Sequence, residues 1–461
     1  MVTAQTQYNL ARARSYFAEH LAVGDYYAEG QEVAGEWFGA GCRQLELTGP
    51  VRAGEFLNLC ENQHPSTGAP LTQRHNTTRL QDGQLTANRR IFFDFTFSPP
   101  KSVSIAALVA GDERIRGIHA RATKAALVHF EKFAATRIRR SEANGSRLTG
   151  NLAAALFTHE TSRALDPHLH THAIVFNATW DPIESRWKAL ENHELLNARK
   201  FARNAYYHEL ARGLRGIGYA LRDRPRGDFE LAGIPDELCT RFSKRNAQIG
   251  EALNRLLAEK PELAGIDPRV LRRHLATTER ARKQPEVGRV DLKRIWEAQT
   301  SEAERTQLHG LKRGSPAPVV PSSMKEAVRW AESHLFDRHA VVPEHWIWQE
   351  ALGRGRGGDF TVEDLVHYTA GRGYLRDASG RVTREEDLAR EQELIGLARA
   401  GAHAWHPLVT EHGPLDPRLD SDQRQCLEQL LGSTHGVTVF RGGAGTGKSF
   451  VLRQLSDHLR A

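Results

Sequence analysis

Apolar and polar residues alternate along the segment from Ile91 to Phe97, which is the pattern of a β-strand. Residues two apart in an extended chain share a face, so Asp94 and Thr96 fall together. The opposite face carries four large apolar residues: Ile91, Phe93, Phe95 and Phe97. A carboxylate in so apolar a strand costs free energy unless it is paired. Asp94 is therefore either an ion-paired residue at a strand edge or part of a functional site.

Two further apolar runs enclose a stretch that is rich in histidine. Residues 153–158 and 174–176 are mostly apolar, and residues 163–167 between them include the turn-forming pair Asp-Pro. This order predicts two strands of a β-hairpin. Apolar residues that recur every three or four positions predict helices elsewhere. These are 9–20, 102–140 with a break near Gly111, 325–335, 362–370 and, after a short strand at 436–440, 450–459.

Composition adds a basic excess to this picture. The formal net charge is +7, the sequence pI is about 9.3, and 51 of the 63 basic residues are arginine. Arginine grips phosphates and guanine edges with two hydrogen bonds, so the bias suits a DNA partner. A GC-rich genome produces the same bias, so charge only supports a conclusion that motifs must carry.

Cysteine usage and hydropathy predict a cytoplasmic protein without membrane insertion. No apolar run approaches the roughly 20 residues of a membrane span, and the N-terminus lacks the apolar core of a signal peptide. The cysteines form no C-x-x-C pair, which fits free thiols in a reducing compartment. They are Cys42, Cys60, Cys239 and Cys426.

Three histidines of the predicted hairpin form a candidate metal site. His170 and His172 lie two apart on one strand, and a hairpin places His159 opposite them. Three imidazoles that converge on one point bind a divalent metal and leave coordination positions open for a substrate. The alternative is a set of partly exposed histidines on a polar strand face.

The whole run HETSRALDPHLHTH resembles the conjugative relaxases of the three-histidine MobF family. These are HUH endonucleases, which cut single-stranded DNA through a tyrosine. The resemblance implies that His159, His170 and His172 are the metal ligands. His168 stands where the family usually carries another residue, so we expect it to be accessory.

The N-terminal tyrosines fit the same resemblance. The pattern SYF…DYY…GEWFGAG matches the two tyrosine pairs of the family, except that Phe17 replaces the second tyrosine of the first pair. The resemblance implies that Tyr16 is the nicking nucleophile and Tyr26 the candidate for a second strand transfer. It also places Asp94 beside the metal, where it would orient a histidine and accept the tyrosine proton.

Further basic residues are expected to contact DNA. Lys101 starts a loop-to-helix junction whose amides suit a phosphate, although simple helix capping gives the same pattern. Arg163 lies in the predicted hairpin turn, and arginine-rich helices between residues 241 and 294 form either a solvated face or a DNA track. Tyr206 and Tyr207 are predicted to be core residues.

A phosphate-binding loop, G-x-x-x-x-G-K-S, follows the strand at 436–440. Lys448 would reach the β and γ phosphates of ATP and Ser449 would bind Mg²⁺. Gln423 resembles the adenine-reading glutamine of the related helicases. The predicted nucleotide-binding residues are Gly442, Gly445, Gly447, Lys448, Ser449 and Gln423. The chain ends at Ala461 before any Walker B acid, so we expect ATP to bind only in a completed helicase domain and no DNA unwinding here.

The predicted fold class is α+β. An antiparallel sheet with surrounding helices forms an HUH relaxase domain at 1–305, and a Pro/Ser-rich linker follows at 306–323. A mainly helical accessory region occupies 324–415. The first strand, P-loop and helix of an incomplete RecA-like α/β helicase domain occupy 416–461.

The predicted activity is metal-dependent, strand-specific cleavage of single-stranded DNA at a plasmid origin of transfer, through a 5′-phosphotyrosine intermediate. The cofactor would be Mg²⁺ or Mn²⁺, with Zn²⁺ or Ni²⁺ as alternatives. Expected partners are single-stranded and hairpin DNA and, by resemblance, accessory relaxosome proteins and a coupling ATPase. Three alternatives are a rolling-circle initiator or transposase, a non-catalytic origin-binding module and a small-molecule metalloenzyme. The third histidine and the P-loop disfavour the first.

Overall fold

The structure is a computed structural model that describes residues 2–8, 10, 13–14, 35–73, 78–81, 84–87, 89–139, 144–225, 227–278, 289–311 and 322–460. Tyr16, Phe17 and Tyr26, most of the predicted helix 9–20 and most of the predicted linker lie outside these residues. The chain divides into two compact units. Unit 1 comprises Met1–Leu335 and Glu344–Gly371, and unit 2 comprises Phe336–Pro343 and Arg372–Ala461.

The described strands and helices follow one another along both units. In chain order the strands are β1 (Val2–Gln7), β2 (Glu36–Phe38), β3 (Thr78–Gln81), β4 (Gln84–Ala87), β5 (Phe92–Phe97), β6 (Ala135–Arg139), β7 (Asn144–Leu148), β8 (Ala154–Thr161), β9 (Pro167–Phe176), β10 (Thr179–Asp181), β11 (Arg186–Lys188), β12 (Leu190–Glu191), β13 (Leu221–Asp223), β14 (Phe229–Leu231), β15 (Val342–Pro343), β16 (Leu375–Arg376) and β17 (Arg381–Thr383). The α-helices are α1 (Ala40–Gln44), α2 (Ala53–Cys60), α3 (Lys101–Leu108), α4 (Arg114–Phe130), α5 (His193–Asn197), α6 (Arg199–Gly216), α7 (Asp236–Arg241), α8 (Lys244–Glu259), α9 (Pro268–Thr278), α10 (Arg289–Glu297), α11 (Glu302–Leu311), α12 (Met324–Phe336), α13 (Glu344–Arg354), α14 (Val362–Ala370), α15 (Glu385–Ala400), α16 (Ser421–Leu431) and α17 (Lys448–Arg460). None of the helices in the described part of the chain combines the length and apolar character that crossing a bilayer requires.

Unit 1 is organised around a five-stranded sheet with the order β1-β5-β9-β8-β2, in which all neighbours are antiparallel. The predicted strand at 91–97 is confirmed as β5, and the predicted hairpin is confirmed as β8 and β9. β9 is the longest of these strands and pairs with β5 on one side and β8 on the other. The centre of the sheet is therefore made of the two segments that carry the candidate site.

One face of this sheet packs against helices. Phe95 contacts Phe130 of α4 at a centroid distance of 5.0 Å, and Phe97 contacts Tyr206 of α6 at 5.6 Å. Tyr206 is fully buried and Tyr207 nearly so, which confirms their prediction as core residues. The apolar positions of β5 thus determine which face of the sheet is covered by helices.

The opposite face is apolar at one end and polar at the other. At the apolar end, Phe92, Phe157 and Phe176 pack around Phe56 of α2 in a buried cluster. Farther along the same strands this face carries histidines, Asp94 and Thr96 in place of the aromatic rings. A site on this sheet is therefore confined to its polar end.

The predicted helix at 102–140 is wrong in its last part. The break is confirmed, since Gly111 has a φ of +69° between α3 and α4, but residues 135–139 form β6. β6 pairs with β7 and with β12, so it lies in the middle of a second sheet. Tertiary pairing of Thr136 and Ile138, both β-branched, outweighs the helical period here.

The unit boundary does not coincide with the predicted linker. α12 and α14 confirm the predicted helices at 325–335 and 362–370. α13 and α14 nevertheless belong to unit 1. There Asn204 of α6 donates to the carbonyl of Gln349 at 2.7 Å, and Nε2 of His208 lies 2.6 Å from the carbonyl oxygen of Phe360. Whether 324–415 acts as an accessory region stays a prediction.

Unit 2 contains the three-stranded sheet β15-β17-β16 and helices α15 to α17. A small core joins α16 to α17 through Leu427, Leu431 and Val451. The predicted helix 450–459 is confirmed within α17, but the predicted strand is wrong, because residues 436–440 have no regular structure. Val439 is 85% exposed in a segment that pairs with no described strand, and an unpaired apolar strand is not stable in water.

Candidate metal centre

The β8–β9 hairpin brings the three predicted histidines together. His159 is directly opposite His170, and Phe157 is directly opposite His172, so all of them point to the same face. The ring centroids of His159 and His170 are 5.5 Å apart, those of His159 and His172 are 5.4 Å apart, and those of His170 and His172 are 5.0 Å apart. The three rings form a nearly equilateral triangle at the polar end of the face.

This triangle has the dimensions of a three-imidazole site. An ion about 2.1 Å from one nitrogen of each ring, in tetrahedral geometry, would hold the ring centroids about 5 Å apart. Within the described ranges, no group of three or more His, Cys, Asp or Glu side chains is already arranged as a metal site. The ring separations fit a shared ion.

Hydrogen bonds select which nitrogens face inward. Nδ1 of His170 lies 2.8 Å from the carbonyl oxygen of His168, and Nδ1 of His172 lies 2.9 Å from each carboxylate oxygen of Asp94. Carbonyl and carboxylate oxygens only accept, so Nδ1 carries the proton in both rings. Nε2 of each ring then keeps its lone pair, which is the form that binds a metal.

Asp94 is the carboxylate partner of this group. It is buried on β5, where it accepts hydrogen bonds from Nδ1 of His172 at 2.9 Å and from the Thr96 hydroxyl at 3.2 Å. The Thr96 hydroxyl is also 3.3 Å from His172 Nδ1. Asp94 therefore orients a histidine from within the site. Thr96 was not predicted as a site residue, although its spacing of two from Asp94 is the signal that places it there.

His168 shares the face but not the triangle. Its ring stacks on that of His170 at 4.5 Å with an interplanar angle of 27°. Burial, followed by the nearby His170, lowers the pKa of His168 well below its ordinary value. The ring is thus neutral at pH 7, and its backbone carbonyl is what holds His170. Its accessory role stays a prediction.

The turn of the hairpin is held by residues that were not predicted. Leu165 adopts a φ of +58°, and its carbonyl accepts a 2.7 Å hydrogen bond from Nε1 of Trp296 on α10. Asp166 is buried and accepts from the backbone amide of Lys244 at 2.8 Å. Only the tertiary fold reveals these contacts, because more than 70 residues separate the partners in each case.

Lys101 also holds the hairpin. Its ammonium donates to the carbonyl of Pro167 at 2.9 Å, and burial lowers its pKa. The amide of Ser102, expected to face a phosphate, donates to Glu230 at 2.9 Å. Arg163 lies in the hairpin turn and is half-buried. DNA contact by Lys101 and Arg163 stays a prediction, and the geometry favours an internal role for Lys101.

The described residues on either side of the segment that contains the tyrosines contact strands of the candidate site. Upstream, β1 pairs with β5, and Gln5 is directly opposite Asp94. Downstream, any side chain at Gly35 would overlap the ring of Phe157, the cross-strand neighbour of His172. A Cβ at Gly41 would lie 2.8 Å from the Leu152 carbonyl, so glycine lets α1 approach the chain just before β8. That Tyr16 and Tyr26 reach the site stays a prediction, because both lie outside the described residues.

The P-loop residues of unit 2 are engaged with one another. The Lys448 ammonium donates to the carbonyls of Gly442 at 2.8 Å and Gly443 at 2.5 Å. The Gln423 side chain accepts from the amide of Asp420, the N-cap of α16, and donates to the carbonyl of Thr446 at 3.2 Å. Gly445 and Gly447 have φ values of +80° and +74°, which glycine tolerates best, and Ser449 lies in the first turn of α17. The structure thus places the predicted glycines in one loop, Lys448 and Ser449 at the start of α17, and Gln423 on α16 in contact with that loop.

Known proteins are similar to this chain in sequence. The family model for TrwC relaxases matches residues 10–303, and that for an AAA domain matches residues 418–461. The multifunctional conjugation protein TraI of Escherichia coli is 33% identical over 411 residues, and that of strain K12 is 32% identical over 411 residues. Each match covers 83% of this chain, and the chain spans 21% of the length of these curated relatives.

Solved structures agree with the sequence comparison. A copper-bound complex of the conjugative relaxase TrwC with oriT DNA is 35% identical, with a TM-score of 0.54. A metal-free complex is 33% identical with a TM-score of 0.52, and a complex with a 27-mer that comprises the recognition hairpin and the cleavage site is 32% identical with a TM-score of 0.52. Each match covers 65% of this chain and 97% of the TrwC chain.

Proposed function

The chain belongs to the TrwC relaxase family, and on that basis we propose that it cuts and rejoins one strand of DNA at a plasmid origin of transfer. The observation that carries this proposal is the triangle of His159, His170 and His172 with Asp94 behind His172. The metal-bound and DNA-bound TrwC structures support a metal and a DNA strand as ligands of this face.

Each described side chain has a distinct part in the reaction. A divalent metal held by Nε2 of the three histidines would supply positive charge to the scissile phosphate. Asp94 keeps Nδ1 of His172 protonated and so keeps Nε2 available. A carboxylate has about four acceptor sites, so Asp94 also has capacity for the proton that the nucleophile releases.

The proposed nucleophile is Tyr16. Its oxygen forms a bond to phosphorus while the bond from phosphorus to the 3′ oxygen breaks. The tyrosine proton goes to Asp94, and the departing 3′ oxygen takes a proton from water. The proton that Asp94 then releases neutralises the hydroxide left behind, so Asp94 is a carboxylate again and no net proton is consumed. One phosphodiester replaces another, so the step is close to isoenergetic, and the 3′ hydroxyl can reverse it to rejoin the strand. Tyr26 is proposed for a second transfer.

The metal and the further partners follow from the same proposal. Three imidazoles bind Mn²⁺, Zn²⁺ or Ni²⁺ more readily than Mg²⁺, so we expect the bound ion to follow availability. Single-stranded DNA with an adjacent hairpin is the proposed substrate. Accessory relaxosome proteins and a coupling ATPase are proposed partners.

The test is a covalent adduct. The purified chain is incubated with single-stranded DNA of a conjugative plasmid and Mn²⁺ or Mg²⁺, then with denaturant and a nuclease. We expect a protein that retains a short 5′-linked oligonucleotide, and we expect the adduct to disappear when a chelator precedes the DNA. A chain that binds the DNA without ever becoming covalently attached would be an origin-binding module instead.

A further inference from the structure

A chain of hydrogen bonds crosses the core of unit 1 behind the histidine hairpin. The Tyr206 hydroxyl lies 2.8 Å from Nδ1 of His119, and Nε2 of His119 lies 2.8 Å from the Thr171 hydroxyl. The Thr171 hydroxyl is in turn 2.8 Å from that of Thr158. His119, Tyr206 and Thr171 are all buried. The chain therefore links α6, α4, β9 and β8 through side chains alone.

This chain ends at the residues next to all three histidines. Thr171 lies between His170 and His172 on β9 and points to the opposite face of the sheet. Thr158 is directly opposite Thr171 and precedes His159 on β8. A displacement of Thr171 thus moves the backbone of His170 and His172, and a displacement of Thr158 moves that of His159.

The surroundings of His119, Tyr206 and Thr171 are largely apolar, whereas Thr158 is exposed at the β8 end of the chain. Thr171 pairs with Phe97, and Tyr206 and His119 stack edge to face at 5.7 Å. Valine has the shape of threonine and would need no hydrogen-bond partner at position 171. Apolar packing is non-directional, whereas a hydrogen bond fixes both distance and angle. The hydrogen-bonded chain therefore fixes the positions of the side chains that it joins, and it does not add to the buried apolar area.

The His119 ring acts as a donor towards one neighbour in the chain and as an acceptor towards the other. Burial lowers the pKa of His119 to about 3, so the ring carries one proton at neutral pH. One ring nitrogen then donates and the other accepts, and both are engaged. Neither Thr171 nor Tyr206 can rotate its hydroxyl away without leaving a buried ring nitrogen unsatisfied.

We propose that Thr171 and His119 are positioning residues that set the separation of the three histidine rings. The inference rests on the proposed function, because it takes the three rings to bind one divalent metal. It goes beyond the proposed function, because it attributes part of the metal affinity to hydrogen bonds on the opposite face of the sheet.

The test compares two isosteric changes in the full chain. Thr171→Val removes the central hydroxyl of the chain. Thr179→Val is the matched control, because Thr179 is also a buried strand residue whose hydroxyl lies 2.6 Å from that of another threonine, Thr149. Metal affinity is measured by titration with Co²⁺, followed by visible absorption, and stability by thermal unfolding without metal.

We expect Thr171→Val to weaken Co²⁺ binding about fivefold, less than the roughly 10–100-fold typical of a group bonded directly to a ligand. Thr179→Val should bind Co²⁺ as the unchanged chain does, even if it lowers the unfolding temperature as much. Equal affinities for Thr171→Val and the unchanged chain, or equal losses in the two variants, would overturn the inference.

A second pair of variants tests His119. Glutamine retains one donor and one acceptor, whereas leucine retains neither, so His119→Gln should keep more Co²⁺ affinity than His119→Leu. Equal affinities in this pair would contradict the proposal. Absence of Co²⁺ binding by the unchanged chain would instead contradict the proposed function, so the two failures are distinguishable.

Discussion

Both carboxylate oxygens of Asp94 lie 2.9 Å from Nδ1 of His172, across two neighbouring strands of the central sheet. The contact joins β5 to the β8–β9 hairpin, and both partners lie within strands. A charged residue inside an apolar strand is thereby given a partner, which is what its free energy of burial requires.

The first prediction concerns that contact. Asp94→Asn preserves the shape but replaces a carboxylate with an amide that neither draws the His172 proton nor accepts one from tyrosine. We expect metal affinity to fall about 10–100-fold and adduct formation to fall further. Asp181→Asn removes a similarly buried carboxylate, paired with Arg147 on β7, and should leave metal affinity unchanged. Calorimetric titration of both variants with Mn²⁺ decides between a local and a general effect.

The second prediction separates the stacked histidines. His170→Ala removes a corner of the triangle, so metal binding and adduct formation should fall by at least about 100-fold. His168→Ala removes only the stacked ring and keeps the carbonyl that orients His170, so we expect less than about a threefold change. Comparable losses in the two variants would show that His168 is a ligand.

The third prediction assigns the nucleophile. Tyr16→Phe removes one hydroxyl, so DNA binding should persist while the first covalent adduct disappears. Tyr26→Phe should still form that adduct. Peptide mapping of the unchanged chain after denaturation should place the oligonucleotide on Tyr16. Its recovery on Tyr26 or Tyr27 would refute the assignment.

The sequence was sufficient to predict that the candidate metal ligands converge, because all of them obey the strand period. His159, His170, His172 and Asp94 lie on strands whose alternation is visible in the chain, and antiparallel pairing places them on one face. The contacts that hold the hairpin were not predictable. Trp296, Lys244 and His119 reach it from helices, and helix packing has no counterpart in local periodicity.

The two wrong secondary-structure predictions also arise from tertiary contacts that the local sequence does not show. Residues 135–139 follow a long helix and continue its composition, but pairing with β7 and β12 makes them a strand. Residues 436–440 have the composition of a strand, yet no described neighbour pairs with them. In both cases the partner strands, and not the segment, decide the outcome.

The fourth prediction revises the role of Lys101. Lys101→Met keeps the aliphatic length but removes the donor to the Pro167 carbonyl. We expect the free energy of unfolding to fall by about 1–3 kcal/mol, because a buried acceptor is left unsatisfied. DNA affinity measured over a salt series should keep its slope. A slope lower by about one would show that Lys101 contacts a phosphate.

The last prediction concerns the P-loop of unit 2. The Lys448 ammonium donates to the carbonyls of Gly442 and Gly443. A nucleotide must therefore displace both hydrogen bonds before its phosphates can bind the ammonium. Gln423 is likewise engaged with Thr446 and with the cap of α16. Phosphate transfer also needs an acid for Mg²⁺ and a cation for the transition state, which the P-loop itself does not supply. We therefore expect this 461-residue chain to bind ATP with a Kd above about 100 μM, weaker than about −5.5 kcal/mol, and to show no ATPase activity with single-stranded DNA. Lys448→Ala should leave adduct formation unchanged. Hydrolysis that single-stranded DNA stimulates and Lys448→Ala abolishes would contradict the prediction and would show that the closed loop opens on DNA.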